Sequence, residues 1–346
     1  MSANTTALEA LRRYHRTNPV RRAWPAKDGA LIFETFDAQG LLRAGKVTAE
    51  GNISLLTYGA DKKLPWLEAA VDGGAQLMVH RASKRAVTRE HHAVTKHLRP
   101  GKAEKVAALS SSLGEVFEEA GFSSASVLAV REQSLDFSLL PGQTLLELGD
   151  DSLPAWEVFA DSWKRFLTLG KDLADVTHYS LHSSVEEKRV LAQWIESARN
   201  YAALDRINDL EGAAEAVATA LAEKPDQLVL LHRDLHDKQL LWDGSQLGIL
   251  DIDTAAIGEA ALDVGNLLAH IELRRIQGHL TAEKAAEITV ILWDLAQEAG
   301  ISPQRLRAYT QGSRIRITCV YAFRPRSAPW LATWLDWALA HTPSVF

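Results

Sequence analysis

His232-Arg233-Asp234-Leu235-His236-Asp237-Lys238-Gln239 is followed by Leu240-Leu241-Trp242, the turn Asp243-Gly244-Ser245, an apolar run over 247–250, and then Asp251-Ile252-Asp253. The residues ahead of it, 227–231, are also apolar. Apolar runs bounded by turn residues predict strand, polar loop, strand, turn and strand, closing on a pair of carboxylates. This is a β-like island in a second half that otherwise reads as helix. Apolar residues recur at helical spacing over 153–169, 185–203, 213–223, 260–276, 281–299, 302–321 and 329–340. Gly300 follows the fifth of these as a C-cap. The pattern predicts a polar, carboxylate-bearing loop on a small sheet, held inside a helical lobe.

The first half reads differently. Short strands are predicted over 31–36, 41–47, 52–58 and 76–81, and a hairpin over 84–89 and 92–98 turns at Glu90-His91. After Pro100-Gly101 a helix is predicted over 103–120, with Val106, Leu109, Leu113, Val116 and Phe117 on one face and Gly121 as its C-cap. Strands over 126–131 and 135–140 follow. The change of character falls near Ser138-Leu139-Leu140-Pro141-Gly142, which predicts a two-lobed α+β body with a ligand cleft between the lobes.

Composition narrows the classes. The chain has 346 residues, 47% apolar and 24% charged, which suits two or three globular units. No run of about 18 apolar residues predicts a membrane helix. The first residues, up to Arg21-Arg22, have no apolar core ahead of their charges and do not read as a secretory leader. The single cysteine, Cys319, makes neither an internal disulfide nor a zinc knuckle, and a reducing cytoplasm is expected. A formal charge of −6 argues against nucleic acid as the main partner.

The spacing of the 232–253 stretch points to phosphoryl transfer. Catalytic loops of protein kinases read H-R-D-x-x-x-x-N, followed later by D-F-G. The distance from Asp to amide is kept here, with Gln239 in place of Asn, and Asp251 lies 12 residues beyond Gln239. Transfer to an alcohol needs a carboxylate to orient the hydroxyl and take its proton, a role that fits Asp234. It also needs hard oxygen ligands for Mg2+, which Gln239 and Asp251 supply. Together these motifs resemble the aminoglycoside phosphotransferase and choline kinase-like superfamily. The form D-L-H-x-x-Q is similar to the bacterial maltokinase branch, to which actinobacterial glucosamine kinases are close. The resemblance runs over 76–346 in order of elements and is specific over 231–268. It implies a protein kinase-like fold with an N-terminal cap at 1–75, a nucleotide-binding lobe at 76–140 and a helical lobe at 141–346. It implies ATP and Mg2+, with Asp234 as catalytic base and Gln239 and Asp251 as metal ligands. Asp263 resembles the family's structural Asp that braces the loop. Asp-Ile-Asp in place of D-F-G makes regulation by a phenylalanine flip unexpected.

On the nucleotide side, Lys96 lies on a strand just before the helix, where kinases place the phosphate-holding lysine. Among Glu104, Glu115, Glu118 and Glu119 none takes the middle position of a helix partner. The loop Arg81-Ala82-Ser83-Lys84-Arg85 has no glycine, so Arg81, Ser83 and Lys84 are expected to cover the phosphates with side chains. Gly40 to Val47 mimics a P-loop but puts Val47 where Ser or Thr is required, and reads as a hairpin. His91, His92 and His97 lack carboxylate neighbours and read as a wet hairpin rather than a metal cluster. Acceptor contacts are expected from His236, Asp253, Glu272, Trp334 and Asp336. Trp330, Trp334 and Trp337 share a helix face, and a stripe at that spacing reads more often as core than as a sugar-binding face. The expected activity is ATP- and Mg2+-dependent phosphorylation of a hydroxyl on a small sugar or amino sugar. Aminoglycoside-type antibiotic phosphotransfer is the alternative, and a nucleotide-binding protein without turnover is the reading from another class. The partner is a small molecule, with neither nucleic acid nor membrane.

Overall fold

The computed structural model describes residues 6–173 and 179–340. The chain opens with a helix, α1 (Ala7–His15), whose start is fixed by a capping box between Thr6 and Glu9. An antiparallel sheet follows, β1 (Val20–Pro25), β2 (Leu31–Phe36), β3 (Leu42–Val47) and β4 (Ile53–Leu55), in sequence order. The P-loop-like residues are turn and strand. Gly45 in β3 lies under the Phe33 ring, and a Cβ there would come within 2.6 Å of it. A short helix, α2 (Trp66–Asp72), leads out of this sheet.

The second sheet contains β5 (Gln76–Arg81), β6 (Arg85–Arg89) and β7 (Ala93–Leu98). Then come α3 (Ala103–Ala120), the two-residue β8 (Ser123–Ser124), β9 (Val127–Arg131) and β10 (Ser134–Ser138). The strand order is β5-β6-β7-β10-β9, antiparallel throughout. Leu98, Ala107, Leu135 and Phe137 bury the inner face of α3 against this sheet. Gly121 ends α3 with φ of 100°, a left-handed cap that a residue with a Cβ adopts only with strain.

The rest is mainly helical. It runs through β11 (Gln143–Thr144), α4 (Leu145–Leu148), α5 (Leu153–Asp172), β12 (Ser180–Leu181), α6 (Ser184–Asn200), α7 (Ile207–Ala220), β13 (Leu228–Leu231), β14 (Leu240–Trp242), β15 (Leu247–Ile249) and β16 (Ala256–Glu259). It ends with α8 (Ala261–Gln277), α9 (Ala282–Glu298), α10 (Pro303–Ala322) and α11 (Ala328–Ala340). The mixed architecture, with antiparallel sheet first and helices after, is the two-lobed α+β fold expected from the sequence. Several details differ from the sequence reading. α1, β1 and α2 were not expected, α7 begins six residues before the expected 213, and β16 occupies residues just ahead of the expected helix.

Two seams position the site. β8 pairs in parallel with β15 of the β14–β15 hairpin, which joins the first lobe to the second by backbone hydrogen bonds. Beside it, Phe117 of α3 stacks on Phe166 of α5 at 4.3 Å, with Trp163, Phe159 and Phe122 packed around them. Such stacked, buried rings add to their area burial and resist sliding of one helix on the other. The N-terminal sheet is tied to the helical lobe as well. The Tyr201 hydroxyl donates to the Ala30 carbonyl at 2.6 Å, and Arg12 donates to the Ala203 carbonyl at 3.1 Å.

Candidate active site

The loop after β13 is held by a single carboxylate. Asp263, in the first turn of α8, accepts from the backbone N–H of His232 at 2.7 Å and of Arg233 at 2.8 Å. It is fully buried, and burial pushes its pKa up to about 6 against the pull of those two hydrogen bonds and of His232. The His232 ring completes the turn. Its Nε2 lies 2.7 Å from the Leu250 carbonyl and its Nδ1 accepts from the Asp234 N–H at 3.3 Å. The carbonyl can only accept and the N–H can only donate, so the proton sits on Nε2. Arg233 is left at φ of 74°, a conformation rare for a side chain of its size. The strained turn swings Asp234 out of the core, where its side chain is exposed. Asn266 anchors the next residue by donating to the Leu235 carbonyl at 2.7 Å. Asp237 does not point to solvent. Arg274 clamps it through two nitrogens, at 2.6 and 2.8 Å.

Lys96, midway along β7, reaches across the cleft. Its Nζ lies 2.8 Å from Asp251 Oδ1 and 3.2 Å from Asp253 Oδ1, and 5.3 Å from the Phe137 ring centroid. Burial would depress the Lys96 pKa, but the two carboxylates outweigh it and raise it. Burial would likewise raise Asp251. Lys96, then Arg85 and His232, override it and hold that carboxyl at about 2. Asp251 sits at φ of 55° just after β15, and Gln239 Nε2 donates to its Oδ2 at 3.4 Å. Lys96, Gln239, Asp251 and Asp253 therefore converge, with Asp253 on the lysine rather than free toward an acceptor. The helix glutamate left open by the sequence is not a partner: among the described residues the ion pairs of Lys96 are with Asp251 and Asp253.

The glycine-free hairpin tip is braced from three sides. The Ser83 N–H donates to Asp61 Oδ2 at 2.7 Å, Arg99 donates to the Ser83 carbonyl at 2.8 Å, and Arg81 stacks over Trp24 at 5.0 Å. Lys84 is exposed. Arg85, named from the sequence as the last residue of this basic loop but not among its expected phosphate contacts, shares a sheet face with Lys96. Val87 is opposite Lys96 in the β6–β7 register, and Arg85 is two residues from Val87. Strand alternation was the signal that could have set it beside Lys96.

The expected acceptor residues scatter. His236 lies tilted against the His270 ring at 4.8 Å between centroids, and burial lowers its pKa. Glu272 falls on the opposite side of α8 from His270 and Arg274, where Arg314 Nε donates to it at 2.7 Å. Trp334 is fully buried in a cluster with Ala269, Leu273 and Ile317. Asp336 pairs with Arg206 at 2.6 Å on the surface. None of these three is brought to Asp234. Of the histidines, His91 and His92 are exposed while His97 is buried on Thr88 at 2.9 Å. No described helix is long and apolar enough to cross a membrane.

With this geometry, the chain matches the phosphotransferase enzyme family over residues 66–298. No curated protein matches it in sequence. Its fold is similar to a thermostable mutant of the aminoglycoside phosphotransferase APH(4)-Ia in apo form, with a TM-score of 0.56 and 15% identity over 80% of this chain and 99% of that one. It is also similar to the aminoglycoside phosphotransferase APH(3'')-Id from Streptomyces rimosus, with a TM-score of 0.52 and 17% identity over 73% and 95% of the two chains. A glucosamine kinase in complex with glucosamine, ADP and inorganic phosphate gives a TM-score of 0.51 and 14% identity, covering 93% of this chain and 94% of that one. The chain belongs to the phosphotransferase enzyme family and is a small-molecule kinase.

Proposed function

We propose that this chain moves the γ-phosphoryl group of ATP to a hydroxyl of a small, sugar-like acceptor. The observation that carries the reading is Asp234, exposed on a loop fixed by Asp263, on the same short segment as Gln239, which meets Asp251, itself paired with Lys96. In the reaction the acceptor oxygen bonds to the γ-phosphorus and the bond from that phosphorus to the bridging oxygen breaks. Asp234 orients the alcohol and takes its proton, and ADP leaves with the bond electrons. Lys96 holds the nucleotide phosphates, and Arg85 on the same sheet face adds to that field.

Magnesium fits the residues present. Asp251 stays ionised down to about pH 2, and the Gln239 amide lies against it. With that amide turned over, its carbonyl oxygen takes the same place. One carboxylate and one amide oxygen suit a cation that keeps its other positions for phosphate and water. Such an ion, when bound, neutralises charge on the phosphates. The lobe at 76–140 would hold the nucleotide, and that at 141–346 the acceptor and loop, with 1–75 as a cap.

The likeness to the glucosamine kinase extends over 93% of this chain, cap included, while that to the Streptomyces rimosus enzyme covers 73%. This favours a sugar or amino sugar over an aminoglycoside. An ADP-release assay with glucosamine, maltose, glucose, kanamycin, hygromycin and choline tests the reading. Asp234→Asn should lower turnover by about 10²–10⁴-fold with little change in ATP affinity. Asp251→Asn should weaken binding of Mg·ATP. Near-wild-type activity in both variants would overturn these roles.

A further inference from the structure

Two residues of α8, one turn apart, bracket Asp234. Asp263 takes the N–H groups of His232 and Arg233 ahead of it, and Asn266 gives its amide NH2 to the Leu235 carbonyl behind it, at 2.7 Å. The two grips differ in kind. A carboxylate accepts with either oxygen, so Asp263 serves whichever way it is turned. An amide holds a carbonyl only with its nitrogen side, and its two senses have nearly the same shape. Asn266 is fully buried, so its oxygen needs a partner inside the protein.

Arg316 of α10 is that partner. Its Nη2 donates to Asn266 Oδ1 at 2.9 Å and to Ser313 Oγ at 3.5 Å. A guanidinium only donates and a carbonyl only accepts. The two partners together therefore admit one sense of the amide, oxygen toward Arg316 and nitrogen toward Leu235. The bond is charge-assisted, and Arg316 makes no ion pair among the described residues that would draw it elsewhere. Gly265, next to Asn266, brings the two helices together backbone to backbone. A Cβ there would come within 2.8 Å of the Thr310 nitrogen and 3.0 Å of the Tyr309 carbonyl carbon. This close crossing sets the distance over which Arg316 reaches α8.

We infer that Arg316 is a positioning residue for the transfer step: it sets the sense of the Asn266 amide, which pins the Leu235 carbonyl and, through it, the backbone that carries Asp234. The inference rests on the kinase reading for what Asp234 does. It gives α10, which contributes no residue to the loop itself, a part in aiming the base.

The test compares Arg316→Met, Arg316→Lys and Asn266→Asp with the wild type, all as the full-length chain. Two quantities are read: hydrogen exchange of residues 232–239 by mass spectrometry, and ADP release with glucosamine as acceptor over a range of ATP. Arg316→Met should raise loop exchange by about tenfold and lower kcat by about as much, with the KM for ATP held within about twofold. Arg316→Lys, whose ammonium still donates to the amide oxygen, should restore part of both. Asn266→Asp keeps an acceptor for Arg316 but sets an oxygen against the Leu235 carbonyl. At pH 8 it should melt close to the wild type and yet free the loop and lower kcat, a separation that a merely structural role would not give. Wild-type loop exchange and kcat in Arg316→Met overturn the inference. So does a rise in exchange spread evenly over α8, α10 and the loop, which marks lost packing rather than lost aim. Failure of the kinase reading shows separately, as a wild-type chain that binds no ATP, and loop exchange then still decides whether Arg316 sets the loop.

Discussion

Asp263 shows how much one side chain decides here. Its two oxygens take two consecutive N–H groups, of His232 and Arg233, and so hold the turn that presents Asp234. A carboxylate can accept at both oxygens, whereas an amide can accept at only one. Asp263→Asn therefore sets an NH2 group against a backbone N–H in a fully buried place. The expected cost is about 2–3 kcal/mol of stability, the penalty for an unsatisfied buried donor with loss of a charged hydrogen bond. Turnover should fall further than stability alone explains, because Asp234 loses its fixed position while Lys96 and Asp251, held by their own ion pair, keep theirs. Urea unfolding and acceptor kinetics at saturating ATP separate the two effects. Wild-type turnover in a stably folded variant would show that the loop needs no such brace.

At the scale of elements, β16 and α10 are locked by a buried ion pair. Arg305 forks onto Glu259, and the Tyr309 hydroxyl and the Asp226 N–H donate to the same carboxylate at 2.8 and 3.0 Å. Removing one partner strands the other in a dry place. Arg305→Met should cost about 3–5 kcal/mol, and Glu259→Met added to it should recover part of that. Equal melting temperatures for the single variant and the wild type would refute this. Neither residue was singled out in the sequence reading, and β16 was not expected, for a physical reason. Ala256 to Glu259 is too short to show alternation, and it becomes a strand only by pairing with β13 and β12, remote in sequence. The partner of Lys96 was illegible in the same way, since it lies on a loop beyond the next lobe's hairpin. By contrast the 232–253 stretch was legible, because strand, turn and chemistry are local and their spacing is written in consecutive residues. α1 was legible too, through Thr6 and Glu9, but its residues were weighed only as a leader. Helical phase likewise sets Glu272 away from His270 and Arg274 without any coordinates.

Over the whole molecule, buried titratable groups set how the fold answers to acid. His97 lies in the first lobe, on β7 beside Lys96, and burial pushes its pKa down to about 4. In the second lobe burial lowers His236, and holds His270 well below the ordinary histidine value. The unfolded chain takes protons at these three sites below about pH 6.5, while the folded chain refuses them. Their contribution is therefore complete above pH 6.5 and is lost as pH falls below it, for His97 toward its folded value of about 4. Asp263 works in the other direction. Its folded pKa of about 6 exceeds the unfolded value, so its contribution is complete below about pH 4 and is lost as pH rises through 6. Asp251, held at about 2, begins to count only below about pH 4. Three histidines against one aspartate leave a net uptake of protons on unfolding between pH 6.5 and 5. The melting temperature should fall across that interval, with His97 alone accounting for roughly 2 kcal/mol. His97→Gln, which can still meet the Thr88 hydroxyl, should flatten the slope by close to one proton. Calorimetry of the two proteins from pH 7 to 5 decides it. A wild-type melting temperature that holds steady or rises toward pH 5 would mean that the histidines are protonated inside the fold, and that His97 and His270 have found partners for that charge.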